Sequence, residues 1–398
     1  MSHATYTYTA PPLIHFSRRP SNRAIAMMGL GAVSATVGGL YVLWHLFTEG
    51  HASFNTSSDI AWGAPIAFYL FFLLTSSGMS ILASLDSVFG MRLFYPVAKR
   101  MVFLSICCLV AGFSILALEI GHPFRMLWAL PFSLQIHSPM WWMGVFYSLD
   151  LVLLIAKFYL LHRARWDDHL THWVSVASFV VCILAPGTLG LVFGMMAMRG
   201  AWFSPIMPMY FILIGFTSGV AFLMFFASIL PHDLTKDLTH AMRRLFREVL
   251  PRLFFLTLLA VIGMRFGQIV TNLWSNYDGM DAHWYALNSW LFYVEIVVGL
   301  LIPTALMAFQ SVRANRVVQA MAGLCYMIGM FTGRLEFLIN GQIVPLFKGA
   351  WAGYVEYWPS MTEWMLVPLG VGVFLVLYGV GSWLFTLWDA PNRGRSEA

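Results

Sequence analysis

Apolar residues gather into ten long runs, at 24–47, 64–89, 101–121, 140–161, 170–197, 206–230, 252–274, 287–310, 317–340 and 364–388. An α-helix rises about 1.5 Å per residue, so about 20 apolar residues cross the hydrocarbon of a bilayer, and each run predicts a transmembrane helix. The stretches between them are short, and none is long enough to fold as a separate soluble domain. The expected architecture is an all-α integral membrane protein of about ten transmembrane helices. The chain divides into a tail at 1–23, a first helix at 24–47, two helical bundles within 60–200 and 206–340, a last helix at 364–388 and a tail at 389–398.

A repeat supports that division. Tyr69 and Tyr210 lie in the second and sixth runs, and each is followed nine residues later by the glycine of a Ser-Gly pair, Ser77-Gly78 and Ser218-Gly219. The fourth run carries Phe146-Tyr147-Ser148-Leu149-Asp150, and the eighth carries Phe292-Tyr293-Val294-Glu295. Four helices separate equivalent positions, so runs two to five and six to nine read as two parallel four-helix bundles with one flanking helix at each end.

Composition agrees: 59% of the 398 residues are hydrophobic and 10% charged, where a soluble domain carries about 25% charged residues. The placement of the basic residues orients the chain. Arg18, Arg19, Arg23, Arg92, Lys99, Arg100, Arg163, Arg165, Lys236, Arg243, Arg244, Arg247, Arg252, Arg313, Arg316, Arg393 and Arg395 fall on the side of the termini. Only Arg125, Arg199 and Lys348 fall on the other. Basic loops are retained in the cytoplasm, so both termini are expected there. The same loops account for the net charge of +5, and no nucleic-acid partner is required. A signal peptide would place its apolar core earlier than residue 24, so the first helix is expected to be retained. The opposite loops (48–63, 122–139, 275–286, 341–363) are rich in aromatic residues and proline, and Trp62, Trp141, Trp142, Trp284, Trp351, Trp358 and Trp364 sit at helix ends, where indole rings anchor to headgroups.

Cys107, Cys108, Cys182 and Cys325 lie inside apolar runs without a CxxC pair. They read as packing residues, and no metal centre or iron–sulfur cluster is expected from them. His45 alone lies clearly within a run, so a haem held between two helical histidines is not expected either.

Ionisable groups at bilayer depth are costly and are candidates for function. The first bundle holds Glu119 near the loop side, Asp150 near mid-membrane and Asp86 near the terminal side, which reads as a carboxylate ladder for protons. The second holds Arg265, Glu295, Arg334 and Glu336, placed to form a buried ion-pair cluster whose expected role is scaffolding. Beyond Glu119 come His122 and Arg125, and then Ser138 as the next helix begins. An acid, an imidazole and a guanidinium beside Tyr69 and Tyr147 suit the carbonyls and protons of a quinone, with apolar side chains holding its ring and tail. A secondary transporter with a parallel repeat is the alternative from another class, although the polar groups gather toward one face rather than the midplane.

The run Glu119-Ile-Gly-His122-Pro123-Phe-Arg125, together with Ser138-Pro139-Met140-Trp141-Trp142, Ala185-Pro186-Gly187 and Trp62-Gly63-Ala64-Pro65, resembles the NrfD/polysulfide-reductase membrane-subunit family. Arg265-Phe266-Gly267, Gly333-Arg334-Leu335-Glu336, Asn340-Gly341-Gln342 and Tyr357-Trp358-Pro359-Ser360 are similar to its ten-helix branch, which includes hydrogenase membrane subunits of the HybB type and, as the nearer resemblance, the DsrP subunits of DsrMKJOP sulfur-metabolism complexes. The resemblance implies a subunit of the bacterial or archaeal cytoplasmic membrane that binds menaquinone or ubiquinone as substrate and carries no haem or iron–sulfur cluster of its own. It also implies a ferredoxin-like iron–sulfur partner on the periplasmic face and further membrane and cytochrome subunits. In the polysulfide-reductase relative, polar side chains of the second helix and a tyrosine in the break of the fifth contact the quinone, and the nearest matches here are Tyr69 and Ala185.

Overall fold

The computed structural model describes residues 19–122, 124–125, 128, 132–229, 244–274, 281–345, 353–385 and 387. The C-terminal tail, most of the N-terminal tail and the basic loop holding Lys236 and Arg243 lie outside the described residues, as do Trp351 and Lys348. Ten helices are long and apolar enough to span a membrane. They are α1 (Asn22–Thr48), α2 (Ala64–Phe89), α3 (Tyr95–Glu119), α4 (Pro139–His162), α5 (His169–Gly194) and α6 (Met207–Ile229). They continue with α7 (Leu245–Trp274), α8 (Trp290–Ala308), α9 (Arg316–Asn340) and α10 (Met361–Leu384). No strand occurs among the described residues.

The helix ends are written in the local sequence. Pro65 and Pro139 occupy the first turns of α2 and α4, where a missing N–H costs nothing. Gly90 closes α2 in a left-handed conformation, φ 67°. Ser360 and Glu363 form a capping box at the start of α10. Pro186 lies inside α5, tolerated because neighbouring helices bury it.

Helices α2 to α5 pack in a closed ring, and α6 to α9 pack in a second one. The rings meet through α2 against α6, α5 against α6, and α2 against α9. These contacts map onto each other when α2 to α5 are exchanged with α6 to α9, as a two-fold axis along the membrane normal requires. The axis passes beside the aligned glycines. A Cβ on Gly78 would strike the Gly215 carbonyl and come within 2.8 Å of the Gly219 nitrogen, so the two backbones touch there.

The second aligned pair behaves differently. Tyr147 is fully buried, whereas its sequence counterpart Tyr293 is 55% exposed. In α8 the buried pair is Phe292 and Glu295, matching Tyr147 and Asp150 one residue out of step with the motif. The stretch Val294–Leu301 winds as a π-helix, which changes the angular spacing of the residues along it.

The flanking helices α1 and α10 pair with each other rather than closing opposite ends of the molecule, and α10 rests on α3. Small residues form the seam: a Cβ on Gly31 would come within 2.8 Å of the Gly372 carbonyl, and Ser34 donates to the Pro368 carbonyl at 2.7 Å. The other face of α1, with Leu30, Val33, Val37, Leu40 and Phe47 exposed, suits lipid contact. Two of the tryptophans expected at headgroups pack inward instead: Trp62 stacks on Trp202, and Trp364 lies against Phe68.

Candidate functional site

A cavity of about 340 Å³ opens at the loop end of the first ring. Four helices line it, each with residues three or four apart on one face: Ile66, Tyr69 and Leu70 of α2; Phe113, Leu116 and Glu119 of α3; Met140, Met143 and Gly144 of α4; Leu189, Val192 and Phe193 of α5. Its volume lies in the range of about 300–1,000 Å³ usual for small-molecule sites. The walls are apolar apart from the Tyr69 hydroxyl, the Glu119 carboxyl and Ser148. A flat apolar ring with oxygens at its edge, trailing an apolar tail, fits that donor set.

The loop-side rim is fixed by two polar assemblies. Trp62, which lines the cavity, is held by a reciprocal amide clamp: its N–H donates to Gln342 Oε1 at 3.0 Å, and Gln342 Nε2 donates to its carbonyl at 2.8 Å. Arg199 ties the same corner together, donating to the carbonyls of Gln342, Val344 and Asp59. Beside it Glu363, fully buried, accepts from Tyr357 Oη at 2.6 Å and from the backbone N–H groups of Asn55 and Ser360, while Tyr357 Oη accepts from the Ala64 N–H at 2.8 Å. Burial and the adjoining Glu363 carboxylate push the Tyr357 phenol above its usual range. His51, exposed on the loop side, is bonded through Nε2 to the Glu119 carbonyl at 2.8 Å.

The residues singled out from the sequence are distributed as follows. Tyr69 and Glu119 line the cavity. Tyr147 lies fully buried behind it, within electrostatic reach of Tyr69 and facing Ser77. Ser138 stands just before the start of α4. His122 and Arg125 are exposed beyond the end of α3 and are not among the lining residues. Asp150 is fully buried in the ring. Asp86 lines a second hollow, about 460 Å³, on the terminal side with Arg92, Trp166, Asp168 and His172.

Two groups escaped the sequence reading. Lys157 is fully buried in α4 and is a cation inside an apolar run, the same signal that picked out Asp150. Glu363 was hidden by its place at a helix start, where an acid is ordinary capping chemistry.

In the second ring all four expected charges converge. Arg265 donates to Glu295 Oε2 at 2.7 Å and to Glu336 Oε2 at 3.2 Å, and Arg334 lies 3.9 Å from Glu295 Oε1. Asn340 and Gln268 complete the set, one donating to Glu336 and the other accepting from Arg265. The guanidinium of Arg334 packs over Tyr210, Phe211 and Phe337 and donates to the Tyr210 hydroxyl at 3.3 Å. Tyr210 is the repeat partner of Tyr69, so the place that is a cavity in the first ring is filled by an ion-pair cluster in the second.

Comparison with known proteins bears on this arrangement. The family model described as "Polysulphide reductase, NrfD" matches residues 52–345, a span that includes every charge of both rings discussed above. The chain belongs to that family. The match takes in both rings and leaves α1 and α10 outside it. Similarity to known proteins extends over most of the chain. A selenate reductase subunit of Mesobacillus selenatarsenatis is 22% identical, over 86% of this chain and 89% of that protein. The Hdr-like menaquinol oxidoreductase integral membrane subunit of Archaeoglobus fulgidus is 23% identical, over 92% and 94%. A putative dimethyl sulfoxide reductase membrane subunit of Halobacterium salinarum is 24% identical, over 92% and 93%.

Proposed function

We propose that this NrfD-family chain is the quinone-reactive membrane subunit of a multi-subunit redox complex. It exchanges electrons between the membrane quinone pool and a ferredoxin-like iron–sulfur subunit docked on the loop side. The observation that carries the reading is the cavity: it is apolar, it opens at the loop end, and it presents one phenol and one carboxyl, Tyr69 and Glu119. Tyr69 hydrogen-bonds a quinone oxygen, Glu119 exchanges the proton that accompanies electron transfer, and His122, Arg125 and Ser138 pass it to water at the rim. Tyr147 supports Tyr69 from behind. Ala185, buried in α5, offers no hydroxyl, so the second quinone oxygen takes its partner from elsewhere on the wall.

Three relatives named as subunits of reductases or oxidoreductases support action within a complex, and the Archaeoglobus relative, named for menaquinol, favours menaquinone over ubiquinone as the substrate. The basic loops support a reading with the termini in the cytoplasm and the cavity on the periplasmic side of an inner membrane. The DsrP-like branch is the finer assignment, resting on Gly333-Arg334-Leu335-Glu336 and Asn340-Gly341-Gln342, whose side chains build the charge cluster and the Trp62 clamp. Co-purification of cytochrome and iron–sulfur subunits of the Dsr type supports that branch; a hydrogenase partner replaces it. Protons move between the cavity and the terminal side past Asp150 and Asp86 in this reading.

The test is quinol-dependent electron transfer by the assembled complex. Glu119→Gln is expected to lower turnover on the order of 10²-fold without loss of assembly. Unchanged turnover in that variant rejects the site.

A further inference from the structure

The interior of the first ring contains a cation that the two-carboxylate path does not use. Lys157 lies on α4 seven residues after Asp150, two helical turns and about 10 Å along the axis toward the terminal side, on nearly the same face. It is fully buried, and its Nζ donates to Ser84 Oγ of α2 at 2.9 Å. The ionisable groups within electrostatic reach of its ammonium are Asp150 on its own helix, Asp86 on α2 and Cys182 on α5. Lys157 therefore stands between the two carboxylates.

Both ends of this set open onto a cavity. Ser84 is within one turn of Asp86 and Ser87, which line the terminal-side hollow, and Leu161, one turn beyond Lys157, lines it too. Toward the loop side, Asp150 is within reach of Tyr147, which faces Ser77 and Tyr69, and Tyr69 lines the quinone cavity. Neither carboxyl oxygen of Asp150 has a hydrogen-bond partner among the described residues. Buried polar groups without a protein partner are commonly satisfied by internal water, and such water supplies the links a proton needs.

We propose that Lys157 is the proton relay of the first ring, passing protons between Asp86 at the terminal-side hollow and Asp150 behind the quinone cavity. This rests on the quinone reading above. The transfer balances within the set. The ammonium of Lys157 gives a proton through water to the Asp150 carboxylate, leaving a neutral amine and a neutral acid. A proton drawn from the hollow past Asp86 restores the ammonium. One proton has then advanced to Asp150, ready for a quinone oxygen that takes up electrons; quinol oxidation runs the same steps backward. The paired charges let each intermediate keep the interior close to neutral.

Lysine is suited to this and arginine is not: an ammonium on a flexible stem releases a proton when buried, whereas a guanidinium holds its proton throughout. The test is the assembled complex in proteoliposomes, following quinone-linked electron transfer together with pH on the terminal side. Lys157→Arg keeps the charge and is expected to lower terminal-side proton exchange on the order of 10²-fold. If Lys157 only balances the charge of Asp150, the arginine variant exchanges protons at the wild-type ratio per electron, and the relay is overturned. Should the arginine variant not assemble, Lys157→Gln leaves Asp150 and Asp86 in place, keeps a polar group toward Ser84 and removes the exchangeable ammonium, and it decides the matter the same way: wild-type proton exchange overturns the relay, and its loss supports it. A wild-type complex without quinone-linked electron transfer rejects the quinone reading itself, a separate outcome visible before any variant is made.

Discussion

Gly78 and Gly219 meet backbone to backbone where α2 crosses α6, at equivalent positions of the two rings. Neither tolerates a Cβ without displacement of the other helix, because the atoms in the way are backbone rather than a flexible side-chain end. Gly78→Ala is expected to destabilise the subunit by about 1–3 kcal/mol through overpacking. Thermal unfolding in detergent, followed by tryptophan fluorescence, measures it; an unchanged midpoint contradicts the close approach.

Tyr69→Phe removes one hydroxyl from a cavity whose walls are otherwise nearly all apolar. Loss of one hydrogen bond of about 1 kcal/mol is expected to raise the quinol KM about fivefold, with thermal stability close to wild type. Steady-state kinetics of the assembled complex separate this from a folding defect.

The ten helices, the repeat and the second-ring cluster were legible in the sequence because each rests on a strong local signal. A lipid solvent forces long apolar runs, a Tyr-to-Gly spacing marks the axis, and charges such as Arg265 and Glu295 at matched depth have to find one another. The cavity was legible in part. Tyr69 and Glu119 fall on its wall, but His122 lies beyond it, since proximity along a chain that leaves a helix end says little about direction. The clamp between Trp62 and Gln342 joins residues 280 positions apart, and no local pattern encodes such a meeting. The one-residue offset in α8 follows the sequence spacing, since Glu295 comes two residues after Tyr293 where Asp150 comes three after Tyr147, so Phe292 rather than Tyr293 shares its buried face.

The second-ring charges are expected to be intolerant of single removal. Glu295→Gln leaves Arg265 and Arg334 short of countercharge in a buried site and is expected to cost about 3–5 kcal/mol, while Arg265→Met/Glu295→Met is expected to cost less than the sum of its single changes. A double-mutant cycle on unfolding free energy checks this; additive costs refute the coupling.

His283, in the short helix Asp281–Leu287, is pushed down to about 4 by burial and by the nearby Arg265 charge. An unfolded histidine takes up its proton near pH 6.5, so between about 6.5 and 4 the unfolded chain binds more protons than the folded one. Stability at this site is therefore full above pH 6.5 and falls as the pH drops toward 4, by on the order of 3 kcal/mol. His283→Gln is expected to flatten the acid limb of a stability-versus-pH curve; an unaltered limb assigns the acid sensitivity elsewhere.

Gln342→Leu breaks both hydrogen bonds of the Trp62 clamp while leaving the cavity wall chemically intact. The expected result is a destabilisation of about 1–3 kcal/mol and a raised quinol KM with little change in kcat. Equal loss of kcat and kcat/KM instead points to a direct part in the chemistry.

The seam between α1 and α10 joins two helices that lie far apart along the chain, Ser34 bonding to Pro368 across 334 positions. During synthesis α1 must wait in the bilayer, its Gly31 and Gly38 face covered only by lipid or an insertion factor, until some three hundred residues have followed it. A nascent chain stalled before residue 361 still holds both rings but leaves that small-residue face without its partner helix.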